Sequence, residues 1–354
     1  MNTRIRSVDT ARFLAIALVF YGHFVEQLMY LGSDPAGVQY KWVYSFHMPL
    51  FFLLSGIVYS ERPLILRRRL VPYFVFALIP VVIAVLGVPG WFPTVDLSTR
   101  DGYIDGLIST AMGLPAFSIP LWFLASLLAL ELLHQWLGRF WRSPSRLVIA
   151  IVGFYALGYV FNRYVDVLAH NLIFWMIHVV PLGYAFYLTG ILLRHSGLLE
   201  RSYTRLQMLV LLLFCVVVVT LTFDLNQGPF RLLDVVVMMF GTVGNPLLFP
   251  LTALVGSAMI ILLARVLPDW RWLQHFGEIT IIIYGLHGLF YHFVNPPLAA
   301  WMTANLPLDS GLWVGLFSAV VVLLSLAAAV PVALLIERYA PEMAGRRRQI
   351  LPKT

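Results

Sequence analysis

Residues 11–31 read Ala-Arg-Phe-Leu-Ala-Ile-Ala-Leu-Val-Phe-Tyr-Gly-His-Phe-Val-Glu-Gln-Leu-Met-Tyr-Leu. A run of this length crosses a bilayer, which takes roughly 20 predominantly apolar residues. It also carries Arg12, His23 and Glu26, side chains that hydrocarbon excludes unless they face a protein interior or a water-filled cavity. Arg12 and His23 are eleven residues apart, about 1,100° of helix at about 100° per residue, so they share one face with an offset of roughly 20°. Their axial separation is about 16 Å, with Arg12 at one mouth of the span and His23 beyond its middle. A permanent guanidinium suits phosphate or carboxylate, whereas a neutral imidazole takes and gives protons near pH 7. One face thus offers an anion site at one end and proton chemistry at the other; the plainer reading is an interfacial anchor and a packed histidine. Arg4, Arg6 and Arg12 resemble the start of a signal peptide, but no small-residue cleavage site follows, so the run is read as a retained first span.

The rest of the chain is of the same kind. Of 354 residues, 60% are hydrophobic and 12% charged, with a mean hydropathy of +0.84. Soluble domains carry roughly 25% charged residues, so a soluble protein is excluded. The apolar content, about 212 residues, fills about ten spans. Apolar runs near 10–31, 42–60, 70–88, 119–137, 146–161, 171–193, 206–223, 246–267, 276–294 and 311–336 supply them. The expectation is an all-α polytopic bundle of about ten transmembrane helices, one unit over 1–354 with no appended soluble domain. Cys215 is the single cysteine, which excludes an intramolecular disulfide and a cysteine metal cluster.

A net charge of +7 from 24 Lys and Arg against 17 Asp and Glu suggests nucleic acid in a soluble protein. Here its distribution reports topology. With the N-terminus inside, twenty of the 24 fall on the cytoplasmic side, and Lys41, Arg100, Arg163 and Arg231 fall outside. That is a strong positive-inside pattern, with both termini cytoplasmic. Two outer connections are long. Residues 89–118 carry Asp96, Asp101 and Asp105 and read as solvated surface; residues 224–245 contain the apolar Leu232 to Phe240, too short to span and read as re-entrant or interfacial.

Few other ionisable groups lie in the spans. His47 enters the second span from outside to a depth similar to His23, and Pro49 predicts a helix break there with carbonyls turned to a cavity. Glu131 and His134, three residues apart, are expected to pair with each other. Glu278 and His287 on the ninth span are read as cavity lining, and Trp122 beside Pro120 as a wall of a groove. Arg67, Arg68 and Arg69 suit phosphate groups, against the commoner role of a membrane anchor. Arg346 to Arg348 are read as topology and headgroup contacts. His178 and His292 are unassigned, and no metal site is expected.

These residues carry a resemblance. Arg12-x10-His23, followed by Ser45-Phe46-His47-Met48-Pro49-Leu50-Phe51-Phe52 and Leu54-Ser55-Gly56, resembles the acyltransferase 3 family of integral-membrane O-acyltransferases, in particular its polysaccharide or fucose 4-O-acetylase-like branch. Arg67-Arg68-Arg69-Leu70-Val71-Pro72-Tyr73, Leu121-Trp122-Phe123-Leu124, and Gly277-Glu278-Ile279-Thr280 through Tyr284-Gly285-Leu286-His287 fall where that family has similar elements. The resemblance implies transfer of an acyl group, usually acetyl, from cytoplasmic acyl-CoA to a hydroxyl of a cell-surface or exported glycan, or of a lipid-linked saccharide. It implies a multi-pass protein of the inner membrane, with acetyl-CoA as donor substrate and no permanently bound cofactor. Arg12 and His23 match the family's functional pair: His23 as base toward the acceptor hydroxyl or as acyl relay, Arg12 toward the donor. His47, Glu26, Arg67, Arg68, Arg69, Trp122, Glu278 and His287 are further candidates for substrate or donor binding. Membrane lipid is a partner and nucleic acid is not. The rival reading is a proton-coupled transporter or channel using the same histidines and glutamates; the chain shows no repeated half.

Overall fold

The computed structural model describes residues 5–61, 63–167, 173–226 and 235–348. Arg4, Arg62, Arg231, Lys353 and residues 232–234 of the second outer connection lie outside them. The described residues form an α-helical bundle. In chain order the helices are α1 (Arg6–Tyr30), α2 (Asp34–Tyr44), α3 (His47–Ile57), α4 (Arg67–Val85), α5 (Arg100–Ala111), α6 (Trp122–Leu137) and α7 (Pro144–Tyr164). Then follow α8 (Val180–His195), α9 (Arg205–Thr222), α10 (Leu248–Val266), α11 (Arg271–Glu278), α12 (Thr280–Leu289), α13 (Asn295–Asn305) and α14 (Gly311–Tyr339). Eight helical segments are long and apolar enough to cross a membrane individually: α1, α4, α6, α7, α8, α9, α10 and α14, with α6 and α8 each extended by a short helical turn.

The two remaining expected passes are broken. The second is split into α2 and α3 around Ser45 and Phe46, so the break precedes His47 and does not fall at Pro49. The physical reason is that Pro49 is the third residue of α3, in the first turn, where its missing N–H has no intrahelical partner to lose. At the interruption the Val43 carbonyl accepts from the Phe46 N–H at 3.3 Å and from His47 Nδ1 at 3.0 Å. The ninth pass runs through α11, α12, a π-helical turn at Phe290–Val294 and α13. Such π turns sit within helices mostly as single local widenings.

Burial separates the axis of the bundle from its periphery. In their most apolar windows α1 and α8 are 61% and 67% buried, whereas α9 is 11% and α7 17% buried. Leucines and valines of α9, such as Leu206, Leu213 and Leu221, are exposed because lipid is their solvent. α3 packs against α8, and α1 against α11. Where α3 crosses α8, a Cβ on Gly56 would lie 1.9 Å from the Tyr187 carbonyl oxygen, and one on Gly190 2.1 Å from that of Leu53. Small residues on both faces bring the two backbones into contact, the usual basis of helix association in lipid.

The arginines expected on the cytoplasmic side gather at one end. Arg6 pairs with Asp269 at 2.9 Å, Arg265 donates to the Arg201 carbonyl at 2.6 Å, and Arg67 donates to the Arg346 carbonyl at 3.0 Å. At the other end Asp96, on the first outer connection, accepts from the Ser98 hydroxyl and N–H, which hold its carboxyl below the usual carboxylate range. There too the second long connection folds inward: Val235 to Met239 are buried. His178 Nε2 donates to the Met239 carbonyl at 2.8 Å, and Asn162 donates to the His178 carbonyl at 3.2 Å. A short, irregular stretch with one 3-10 turn at Met238–Phe240 is tolerated at this depth because it lines a cavity rather than lipid.

Candidate active site

Two cavities approach each other in the bundle. The outer one, about 500 Å³, is walled by α1, the α2–α3 break, the α6 entry and the re-entrant stretch, and it contains His23, Glu26, Tyr44, His47 and Trp122. The inner one, about 430 Å³, contains Arg12, Ser55, Arg68, Arg69, Glu278 and Arg346. Tyr284 lines both. Its hydroxyl donates to the Pro120 carbonyl, and its ring stands 6.2 Å from Phe123 and 6.4 Å from Phe51. These three aromatic residues form the septum between the two spaces. Arg12 and His23 thus keep the common helix face expected from their spacing but open into different cavities.

The outer site is built around one imidazole. His23 Nδ1 donates to Glu26 Oε2 at 2.8 Å, one helical turn on. A carboxylate at that distance holds the proton on Nδ1 and leaves Nε2 as the lone-pair nitrogen. Among the described residues no protein group bonds Nε2. The Tyr44 hydroxyl lies 3.3 Å from Nδ1, and Tyr30 donates to Glu26 Oε1 at 3.1 Å. Glu26 is therefore itself held in place. His47, fixed by the Val43 carbonyl, lies with its ring 4.5 Å from that of Tyr44. His287 is fully buried behind His23, with its ring 5.2 Å from His23 and 4.2 Å from Phe20. It does not line the cavity. Trp122 does, opposite Tyr30, Trp91 and Tyr291, so the walls offer aromatic faces and a few convergent polar groups, the common make-up of a small-molecule site.

At the inner site several expectations change. Glu131 and His134 do not pair with each other. Glu131 takes a bidentate contact from Arg69, 2.8 Å from Nε and 2.6 Å from Nη2, and His134 Nδ1 meets the Tyr184 hydroxyl at 2.9 Å. Arg69 on α4 and Tyr184 on α8 reach the two side chains instead, and the planar guanidinium satisfies both carboxylate oxygens. Arg67 is engaged with the C-terminal backbone outside the cavity walls, while Arg68 and Arg69 line them. Arg346 is more than a headgroup contact: it donates to Glu337 and to the Glu278 carbonyl, at 2.8 Å each, and closes the cavity. Arg12 stands in the wall with Asp9 3.5 Å away, and Glu278 has His275 at 3.7 Å.

Histidines 178 and 292 serve the frame. His292 Nδ1 donates to the Trp91 carbonyl at 2.6 Å, and the Trp91 N–H donates back to the His292 carbonyl at 2.8 Å. This pins the outer connection over the cavity. Sequence reasoning missed Tyr44, Tyr284 and Trp91. The chain is rich in tyrosine and tryptophan, so their type alone marked none of them.

A segment of 69 residues is 41% identical to the nodulation protein NolL of Mesorhizobium japonicum (strain LMG 29417 / CECT 9101 / MAFF 303099). The match covers 19% of this chain and 18% of that protein. No solved structure matches. The family model of the acyltransferase 3 group, described as an acyltransferase domain, matches residues 5–338. That match takes in the outer cavity and most of the inner one, whose wall also includes Ala344 and Arg346 beyond it, and the chain therefore belongs to the acyltransferase 3 family, as a multi-pass membrane protein.

Proposed function

We propose that the chain is an O-acetyltransferase of the cell membrane that moves an acetyl group from acyl-CoA, received in the inner cavity, to a hydroxyl of a glycan or lipid-linked saccharide held in the outer one. The observation that carries this is the meeting at Tyr284 of a basic cavity and a cavity built around a carboxylate-held imidazole. A hydroxyl is a poor nucleophile at neutral pH and needs a positioned base. His23 Nε2 takes the hydroxyl proton, the acceptor oxygen attacks the thioester carbonyl, and the carbon–sulfur bond breaks. The thiolate leaves with the proton returned by the His23 imidazolium, so the products are an ester and free coenzyme A. Arg12 and Arg68 offer the donor their guanidinium groups. Tyr44 and Glu26 hold the His23 ring, and Trp122 and Trp91 offer flat faces to the apolar side of a sugar ring. The thioester passes the septum, so the Tyr284 side chain must turn aside for transfer.

The test is mass spectrometry of surface glycans from cells with and without the gene, with His23→Ala as the point variant. Loss of one acetyl increment in both, restored by the wild-type chain, is expected. Glycans unchanged by deletion, together with a pH-driven ion flux in proteoliposomes that consumes no acetyl-CoA, would replace the reading with a transporter.

A further inference from the structure

The inner cavity does not end at Arg69. It shares Arg12, Ser55, Arg68 and Arg69 with a second space of about 370 Å³ running past Tyr59, Glu131 and His134. That space shares Tyr59, Ser60, Pro63, His134 and Gln135 with a third, of about 1010 Å³. The third is the largest of these and is basic: Arg139, Arg142, Arg194 and His195 line it, with Glu61 as the carboxylate in the wall. The arginines come from three places in the chain. Arg139 lies on the short turn after α6, over the Phe140 ring at 4.8 Å, Arg142 in the α6–α7 connection, and Arg194 in the last turn of α8. Tyr59 and Trp141 add ring surface beside them.

We propose that this third space binds the nucleotide phosphates of the acyl-CoA donor, with Arg139, Arg142 and Arg194 as the phosphate ligands and the acyl-bearing arm running through the second space toward Arg12. This deepens the proposed function and rests on its reading of the donor. Three observations favour it over the Arg67–Arg69 run that sequence suggests. Arg67 is spent on the C-terminal backbone and Arg69 on Glu131, which leaves Arg68 of the three. The donor is long, with its phosphates at the far end from the thioester, and the three spaces follow one another through shared lining residues from Arg12 to Arg194. Guanidinium groups interleaved with aromatic rings match a purine bearing phosphates better than they match a simple anion.

The experiment measures coenzyme A affinity of the purified full chain in nanodiscs, which requires no knowledge of the acceptor. Wild type is expected to bind coenzyme A. The variant carrying Arg139→Gln, Arg142→Gln and Arg194→Gln is expected to bind it about 10- to 100-fold more weakly, the range for loss of hydrogen bonds to charged groups. Coenzyme A lacking its 3′-phosphate should bind wild type about tenfold more weakly, and that difference should vanish in the variant. Equal affinity of wild type and variant for coenzyme A overturns the proposal while leaving the donor reading intact. A wild type that binds no coenzyme A at all removes the donor reading itself. A phospholipid headgroup is the other source of the same phosphate chemistry. If the variant keeps wild-type affinity but loses a thermal stabilisation conferred by phosphatidylglycerol, the site is a lipid site and the proposal falls. Should the triple variant not fold, Arg139→Gln and Arg142→Gln serve singly; both are exposed, and unchanged affinity in the pair overturns the assignment equally.

Discussion

At the scale of single residues, the proposed mechanism gives Glu26 a positioning role. Its two oxygens are taken by His23 and Tyr30, so it orients the imidazole and is oriented in turn. Glu26→Gln keeps the shape but loses the charge-assisted acceptor. In a transfer assay kcat should fall about 10- to 100-fold, a loss in keeping with a charge-assisted bond of roughly twice ordinary strength, with KM for acetyl-CoA unchanged and partial recovery in Glu26→Asp. A KM change without a kcat change would return Glu26 to donor binding. His23→Ala, which removes the base, should lower kcat about 10²- to 10⁴-fold without altering expression. Arg69→Ala leaves the Glu131 carboxylate, 14% exposed, without its bidentate partner. Breaking a fully buried pair destabilises by roughly 3–5 kcal/mol. Arg69 is itself 27% exposed, so about 2 kcal/mol is expected once solvent screening is allowed for. Glu131→Gln in the same chain should recover part of the lost melting temperature.

At the scale of elements, the α3–α8 crossing holds the inner and outer cavities in register. α3 carries His47 at its start and Ser55 near its end, one facing each cavity. Since a Cβ at Gly190 would lie 2.1 Å from a backbone oxygen, Gly190→Ala must push α8 away from α3. Overpacking of this kind destabilises by roughly 1–3 kcal/mol. The expected result is a lowered melting temperature in detergent together with reduced transfer; a wild-type melting temperature would show that the helices separate freely. Elements were also where the chain's own pattern was most readable. Hydropathy marked the eight segments that are single long apolar helices among the described residues, because a lipid-spanning run has no alternative way to satisfy its backbone. It misplaced the break in the second pass: a proline reads as a helix breaker unless its position within the turn is known, and here the start of α3 was set by packing at Phe46.

At the scale of the whole molecule, the charge distribution predicts which end of the bundle faces the cytoplasm. Cys215 is buried in α9, so a Cys215→Ser background is suitable for labelling. In that background an impermeant maleimide applied to intact cells should label Thr94→Cys, at the outer cavity, and should reach Ser60→Cys, at the inner end, only after lysis. The opposite pattern would invert the orientation and, with it, the side from which the donor arrives.

Amino-acid sequence alone determined that lipid is the solvent of this protein, that its fold is a polytopic helical bundle, which ends gather the arginines, and that Arg12 and His23 share a helix face. These follow from local quantities: hydropathy over about 20 residues, charge in short loops and the helical repeat. Tertiary structure decided the rest. It gave Glu131 to Arg69 and His134 to Tyr184, withdrew His287 from the cavity wall, folded Val235 to Met239 into the outer cavity, and set Tyr284 between the two spaces. Each depends on how one helix is rotated against another, so the partners lie 50 residues or more apart in the chain for His134 and Tyr184 and 62 for Arg69 and Glu131. No periodicity within either segment records that rotation.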